Sequence, residues 1–299
     1  MAGQAGLTKE CFMTVQRARL IKTAAVASLA TALILLAAKI FAWVVSDSAS
    51  VLSSLLDSLM DIAASAVNFY AVRYALVPAD RDHPFGHTKA EGIAALIQSA
   101  FILGSAVVLL LHVMERLLNP QPVMALEESI GVMLFSALAT AALVLYQRYV
   151  YRQTGSLAIK ADSAHYYGDI LTSLAVVAAL LAAYWEQYWL DPVVALLIAL
   201  VLLSSVLGIV KSALAVLMDQ AMEAEDLARL EQTVLSCSGV RGCHDLLTRQ
   251  SGPVQFIQLH LELDGQQSLY DAHAIGRCVE LAIRAEFPHA QIIIHQDPV

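Results

Sequence analysis

Asp57 and Asp61 stand four residues apart in one long apolar segment, and His165 and Asp169 repeat the spacing in another. On a helix, residues at i and i+4 share a face. Three carboxylates and one imidazole converging from two such helices supply four hard or borderline donors, a set that zinc accepts and that ferrous iron or cadmium can share. An ionisable side chain in a membrane span is costly unless it faces a polar interior, so these four mark an ion or proton path.

Two further groups carry ligand chemistry. Asp80, His83 and His87 lie together in the stretch from Pro78 to Lys89, where Pro84 and Gly86 impose an irregular turn. They could bind a metal ion at the membrane surface, although turns rich in Asp and His are also common without one. Near the C-terminus His244, His260, His273, His295 and Asp297 offer five more donors, enough for a second centre. His112 and His289 have no evident partners. Lys39 sits in the outer half of an apolar segment, where snorkelling or an interior partner explains it.

Long elements must position these groups. Of 299 residues, 58% are hydrophobic and 15% charged, against about 45–50% and about 25% in soluble domains. Six segments reach the length of about 20 apolar residues that a bilayer demands: 20–45, 51–77, 91–118, 129–150, 156–185 and 190–217. The first is longer than a signal-peptide core and another span comes directly after it, so it counts as a span. Lys and Arg set the orientation. With a cytoplasmic N-terminus, the inner side holds Lys9, Arg17, Arg19, Lys22, Arg73, Arg81, Lys89, Arg148, Arg152 and Lys160, against Arg116 near the other side. Both termini are therefore expected in the cytoplasm. Asp57 and Asp61 then lie ~10–16 Å below the outer face, and His165 and Asp169 ~14–20 Å above the inner one, at 1.5 Å per residue. The pairs meet near the middle of a ~30 Å core.

After Asp219 the texture changes to that of a soluble domain. The pattern predicts α-β-β-α-β: a helix over 224–236, strands near 241–250 and 253–264, a helix from the Ser268/Asp271 capping box to about 287, and a strand over 290–296. In the second strand Ile257, Leu259, Leu261 and Leu263 face one way, while Gln258, His260 and Glu262 face the other. His295 and Asp297 share a face by the same alternation. Cys11, Cys237, Cys243 and Cys278 show no CxxC spacing and fall on the reducing side, so free thiols are expected.

The stretches D57SLMD61, H83PFGHTKAE91, A161DSAHYYGD169, H244DLLTRQSGP253 and I292IIHQDP298 resemble the cation diffusion facilitator family over nearly all the chain beyond the first ~18 residues. The resemblance implies an α-helical membrane protein with six transmembrane helices and a small α+β, ferredoxin-like αββαβ domain in the cytoplasm. It divides the chain into a cytoplasmic N-terminal segment (1–19), a transmembrane domain (20–218) and a cytoplasmic metal-binding dimerisation domain (219–299). It implies transport at Asp57, Asp61, His165 and Asp169, and a loop site at Asp80, His83 and His87. It also implies paired cytoplasmic zincs on His244, His260, His273, His295 and Asp297, the last as bridge. The expected assembly is a homodimer with a Lys89–Asp219 ion pair near the dimer contact, in the bacterial inner membrane, and no nucleic acid partner.

These features point to proton-coupled antiport of a divalent cation: zinc, with Fe2+ or Cd2+ as further cargo. Metal needs deprotonated ligands, and His165 is the side chain suited to exchange a proton near neutral pH. A divalent-cation channel would favour weak multi-ion sites, and a metal-regulated membrane protein would lack proton coupling. A metallohydrolase would need an open metal position and a general base. No H-E-x-x-H or comparable motif is present, so no enzyme is expected.

Overall fold

The computed structural model describes residues 2–46, 49–118, 130–184, 190–252 and 254–299. Side chains are described from residue 15 onward, except at 42, 43, 45–54, 56, 57, 112, 116–118, 130–133, 175–184, 190 and 191. Asp57 and His112 therefore lie outside the described side chains. The chain divides into two compact units, 1–213 and 214–299.

The first unit is all helical: α1 (Ala2–Ser46), α2 (Ala49–Ala75), α3 (Ala90–Leu118), α4 (Ile130–Thr154) and α5 (Leu157–Tyr184), with most of α6 (Leu190–Leu217). α1 packs on α2 and α4, α5 packs on α3 and α4, and α2 also meets α3 and α5. Small residues let the helices approach closely. Ala24, Ala94, Ala158 and Ala161 are buried among Ile21, Val72, Val150, Ile159 and Ile102. At Gly168 an added Cβ would come within 2.8 Å of Leu202 on α6.

Three stretches are long and apolar enough to cross a bilayer among the described residues: Val15–Phe41, Ala90–Glu115 and Pro192–Leu217. α2 and α5 are the helices that carry the paired ionisable residues. The helix containing the first apolar segment begins at Ala2, so residues 2–19 continue α1.

The second unit contains α7 (Ala224–Leu235), β1 (Gly242–Ser251), β2 (Val254–Leu263), α8 (Leu269–Glu286) and β3 (Gln291–Pro298). Ser268 caps α8: its Oγ accepts the Asp271 N–H at 3.2 Å and donates to Asp271 Oδ2 at 2.6 Å, satisfying an orphan donor of the first turn. Glycine at 239, with φ of 92°, turns the chain from α7 toward β1. The sheet order is β1-β2-β3, with β1/β2 antiparallel and β2/β3 parallel. Ile257, Leu259, Leu261 and Leu263 are all buried against Leu230, Val234, Val279 and Ile283 of the two helices. The opposite face is left for polar side chains.

Candidate metal centres

α2 and α5 bring Asp61, His165 and Asp169 together, with ligand atoms all within 4.8 Å of one another. His165 Nε2 lies 3.2 Å from Asp61 Oδ1 and 4.0 Å from Asp169 Oδ2. His165 is buried, whereas Asp61 and Asp169 are half-buried. The ring of Tyr166 stands edge-on to His165, with centroids 5.4 Å apart. Asp57 lies on α2, one turn before Asp61. Nearby, Lys39 Nζ donates to Ser58 Oγ at 2.6 Å, so this lysine has an interior partner.

The turn between α2 and α3 forms the second group. Asp80 Oδ1 accepts the backbone N–H of His83 at 2.7 Å and of Asp82 at 3.0 Å, an Asx-type turn that fixes the carboxylate. Asp80 Oδ2 is 3.3 Å from His87 Nε2, and His87 Nε2 is 3.1 Å from His83 Nδ1. Tyr74 packs edge-on against His87, with centroids 4.6 Å apart. The His83 N–H, and then the two imidazoles, hold the Asp80 carboxyl below its ordinary range. An ionised carboxylate beside two imidazoles is a donor set suited to zinc. Lys89 begins the approach to α3 in the first unit, and Asp219 belongs to the second, where its Oδ1 accepts from Arg249 at 3.2 Å.

The third group is a product of strand register. His244 on β1 pairs with His260 on β2, and His260 pairs with His295 on β3. Three imidazoles therefore form one row across the sheet, with ring centroids 5.2 and 4.6 Å apart. Asp297, two residues on, turns its carboxylate back to all three. Oδ2 is 2.8 Å from His260 Nδ1 and 3.4 Å from His244 Nε2, and Oδ1 is 3.2 Å from His295 Nε2. The His260 hydrogen bond, with the charges of His295, His260 and His244, lowers the Asp297 carboxyl below its usual range.

His273 is exposed on α8 and joins none of these clusters within the chain. Two carboxylates join the row that sequence reasoning did not single out. Glu262 Oε1 is 3.0 Å from His244 Nδ1, and Asp245, at a φ of 48°, clusters with His244 and His260. Glu262 was visible as a member of the polar face of β2. Asp245 was not, because it depends on a register shift between His244 and Leu247. Cys237, Cys243 and Cys278 are free.

Residues 25–218 match the family model described as the cation efflux transmembrane domain, and residues 222–299 match the one for the cation efflux protein cytoplasmic domain. The chain is 45% identical over 287 residues to the cation-efflux pump FieF of Pectobacterium atrosepticum, covering 96% of each. It is 45% identical over 280 residues to FieF of Klebsiella pneumoniae (94% of this chain, 93% of the relative). Against FieF of Shewanella oneidensis it is 44% identical over 279 residues (93% and 94%).

Proposed function

This chain belongs to the cation efflux family, and on that premise we propose that it exports zinc across the bacterial inner membrane in exchange for protons. Membership makes it a membrane transporter of divalent cations rather than an enzyme. The choice of ion, the coupling and the assignment of residues are our reading.

One observation carries it: an aspartate on α2 and a histidine and an aspartate on α5 present ligand atoms within 4.8 Å of one another in the helical unit. With Asp57 from the next turn of α2 as fourth ligand, the set is three oxygens and one nitrogen. Such a set suits zinc and tolerates ferrous iron and cadmium. In this reading α1 to α6 all cross the membrane, with both termini in the cytoplasm. α2 and α5 can include charged residues because those residues face the bundle interior.

The exchange stems from the ligands. A metal ion needs neutral imidazole and ionised carboxylates, so loading from the cytoplasm displaces protons. Facing a more acidic exterior, protons return to His165 and the carboxylates and the ion leaves. Alternation between the two faces completes the cycle. Asp80, His83 and His87 form a second site beside the membrane. The His244–His260–His295 row and Asp297 form a cytoplasmic centre, to which His273 contributes in the homodimer. There, bound zinc would neutralise the clustered carboxylates and stabilise the paired domains.

The test is metal flux into proteoliposomes under an imposed pH gradient, with zinc, ferrous iron, cadmium and manganese in turn. Zinc flux that tracks the proton gradient supports antiport. Flux indifferent to the gradient favours a channel, and absence of flux favours a metal-regulated membrane protein.

A further inference from the structure

Glu91 lies in the first turn of α3, and its side chain is buried (9% exposed). The transport reading makes no use of it. Its hydrogen bonds go to another helix: Oε2 accepts from Ser156 Oγ at 2.7 Å and from the backbone N–H of Leu157 at 3.0 Å. Those two residues are where α5 begins.

The corner between α4 and α5 is short. Gly155, at a φ of 61°, turns the chain after Thr154, and Ser156 then caps α5. Ser156 Oγ accepts the Ile159 N–H at 3.4 Å, and its carbonyl accepts the Lys160 N–H at 3.0 Å. The Leu157 N–H is one of the first-turn donors that have no partner within a helix, and Glu91 takes it. A carboxylate at this end also meets the positive pole of the helix dipole. Arg17 of α1 donates to the Thr154 carbonyl at the end of α4, and its charge attracts that of Glu91 across the corner. Glu91 is itself anchored from behind: its N–H donates to the Thr88 carbonyl at 3.1 Å, and the Ala90 N–H to that of His87 at 2.9 Å.

Burying a carboxylate is costly unless its hydrogen bonds offset the lost hydration. Ser156 already caps α5 from within its own chain, so end-capping alone gives no reason to bring a buried carboxylate from α3. A tie between the two helices does. α3 packs on both α2 and α5, the helices that carry Asp61 and the His165–Asp169 pair. His165 is two turns beyond Leu157, about 12 Å at 1.5 Å per residue. A fastening at the first residue of α5 therefore sets how far along the bundle His165 and Asp169 stand relative to Asp61. We propose that Glu91 is a positioning residue, a fastening through which α3 fixes the height of α5 and with it the spacing of the metal ligands. It touches no cargo ion and acts through α5, and the inference rests on the reading that Asp61, His165 and Asp169 hold that ion.

The test uses full-length protein with the loop and C-terminal clusters disabled by alanine, and reads zinc affinity, zinc flux and melting temperature together. Glu91→Ala is expected to weaken zinc binding about 10-fold, the lower end of what loss of a residue supporting a ligand costs. KM for zinc flux should rise by the same factor while kcat changes less. Glu91→Ala combined with Ser156→Asp separates a tie from a cap, because the new carboxylate serves the same helix end from α5 itself. The melting temperature should then recover while zinc affinity stays weak. Recovery of both would show that Glu91 is merely a cap, and overturns the proposal, as does wild-type affinity in Glu91→Ala. If Glu91→Ala does not fold, Glu91→Gln decides, since it keeps an acceptor in place but loses the stronger, charge-assisted bonds. A smaller loss of affinity in the same direction supports the fastening, and wild-type affinity overturns it. A background protein that binds no zinc at the membrane cluster defeats the ligand reading itself, a separate outcome.

Discussion

His165 Nε2 lies 3.2 Å from Asp61 Oδ1, which makes the contact between α5 and α2 a contact between two residues suited to hold the same ion. Two ligands at ~2.0–2.2 Å from a tetrahedral zinc are separated by about 3.3–3.6 Å, close to the separation of this pair. The pair is therefore spaced for tetrahedral ligation. Asp169, at 4.0 Å from His165, needs only a small side-chain movement to join it.

Removing a ligand is the direct test of that geometry. Asp61→Ala or Asp169→Ala should lower zinc flux by about 100-fold or more, since loss of even an indirect ligand partner costs about 10–100-fold in metal affinity. Both variants should remain folded by circular dichroism, because neither side chain is fully buried. Substantial proton-driven zinc flux in either would sink the assignment.

Proton competition gives the second expectation. His165 must be neutral to ligate, so apparent zinc affinity at the membrane site should weaken as pH falls from about 7.5 to about 5.5, because protons compete with the metal ion for the same ligands. The measurement is zinc binding by full-length protein with the loop and C-terminal clusters disabled by alanine. A flat profile would count against ligation by His165.

The C-terminal unit has its own core, centred on Leu259 and Leu261, so it can be studied alone. Zinc that binds only the folded form stabilises it by about 2.7 kcal/mol at 100 times Kd. His260→Ala with Asp297→Ala should remove most of that gain, because Asp297 touches all three imidazoles of the row. Calorimetry with and without zinc reads the difference. Equal stabilisation of wild type and double variant would show that the row is not a metal centre.

The Asp297 carboxyl is lowered in the folded state, chiefly by its hydrogen bond from His260. A group whose folded pKa lies below its unfolded value contributes stability that is fully present above about pH 4 and is lost as pH falls through the folded value. Without metal, the melting temperature of wild type should therefore drop more steeply below about pH 4 than that of Asp297→Asn. Parallel curves would remove the linkage.

Much of the C-terminal fold was legible because alternation is a local signal. Ile257 through Leu263 announced both the strand and its buried face, and Ser268 with Asp271 announced the start of α8. Register was not legible. Nothing local says that His260 stands opposite both His244 and His295, since that depends on long-range pairing and on the irregularity after His244. In the helical unit, i,i+4 spacing gave the faces carrying Asp61 and the His165–Asp169 pair. The burial of Asp162 against Gln147 of α4 carries no such local signal, because that contact joins two helices. Residues 2–19 precede the first apolar segment in the sequence, and the backbone runs through them as part of α1.

The alternation along β3 binds two properties into one decision. Ile292 and Ile294 pack toward the core, while His295 stands outward beside His260. A slip of one residue would carry Ile292 and Ile294 to solvent, bring Ile293 in their place and turn His295 inward, where an imidazole is costly to bury. Folding thus acts as an inspection step: a copy of the chain whose β3 is seated well enough to survive is also one whose three imidazoles are aligned. Quality control of the fold is then, without further machinery, quality control of the histidine row.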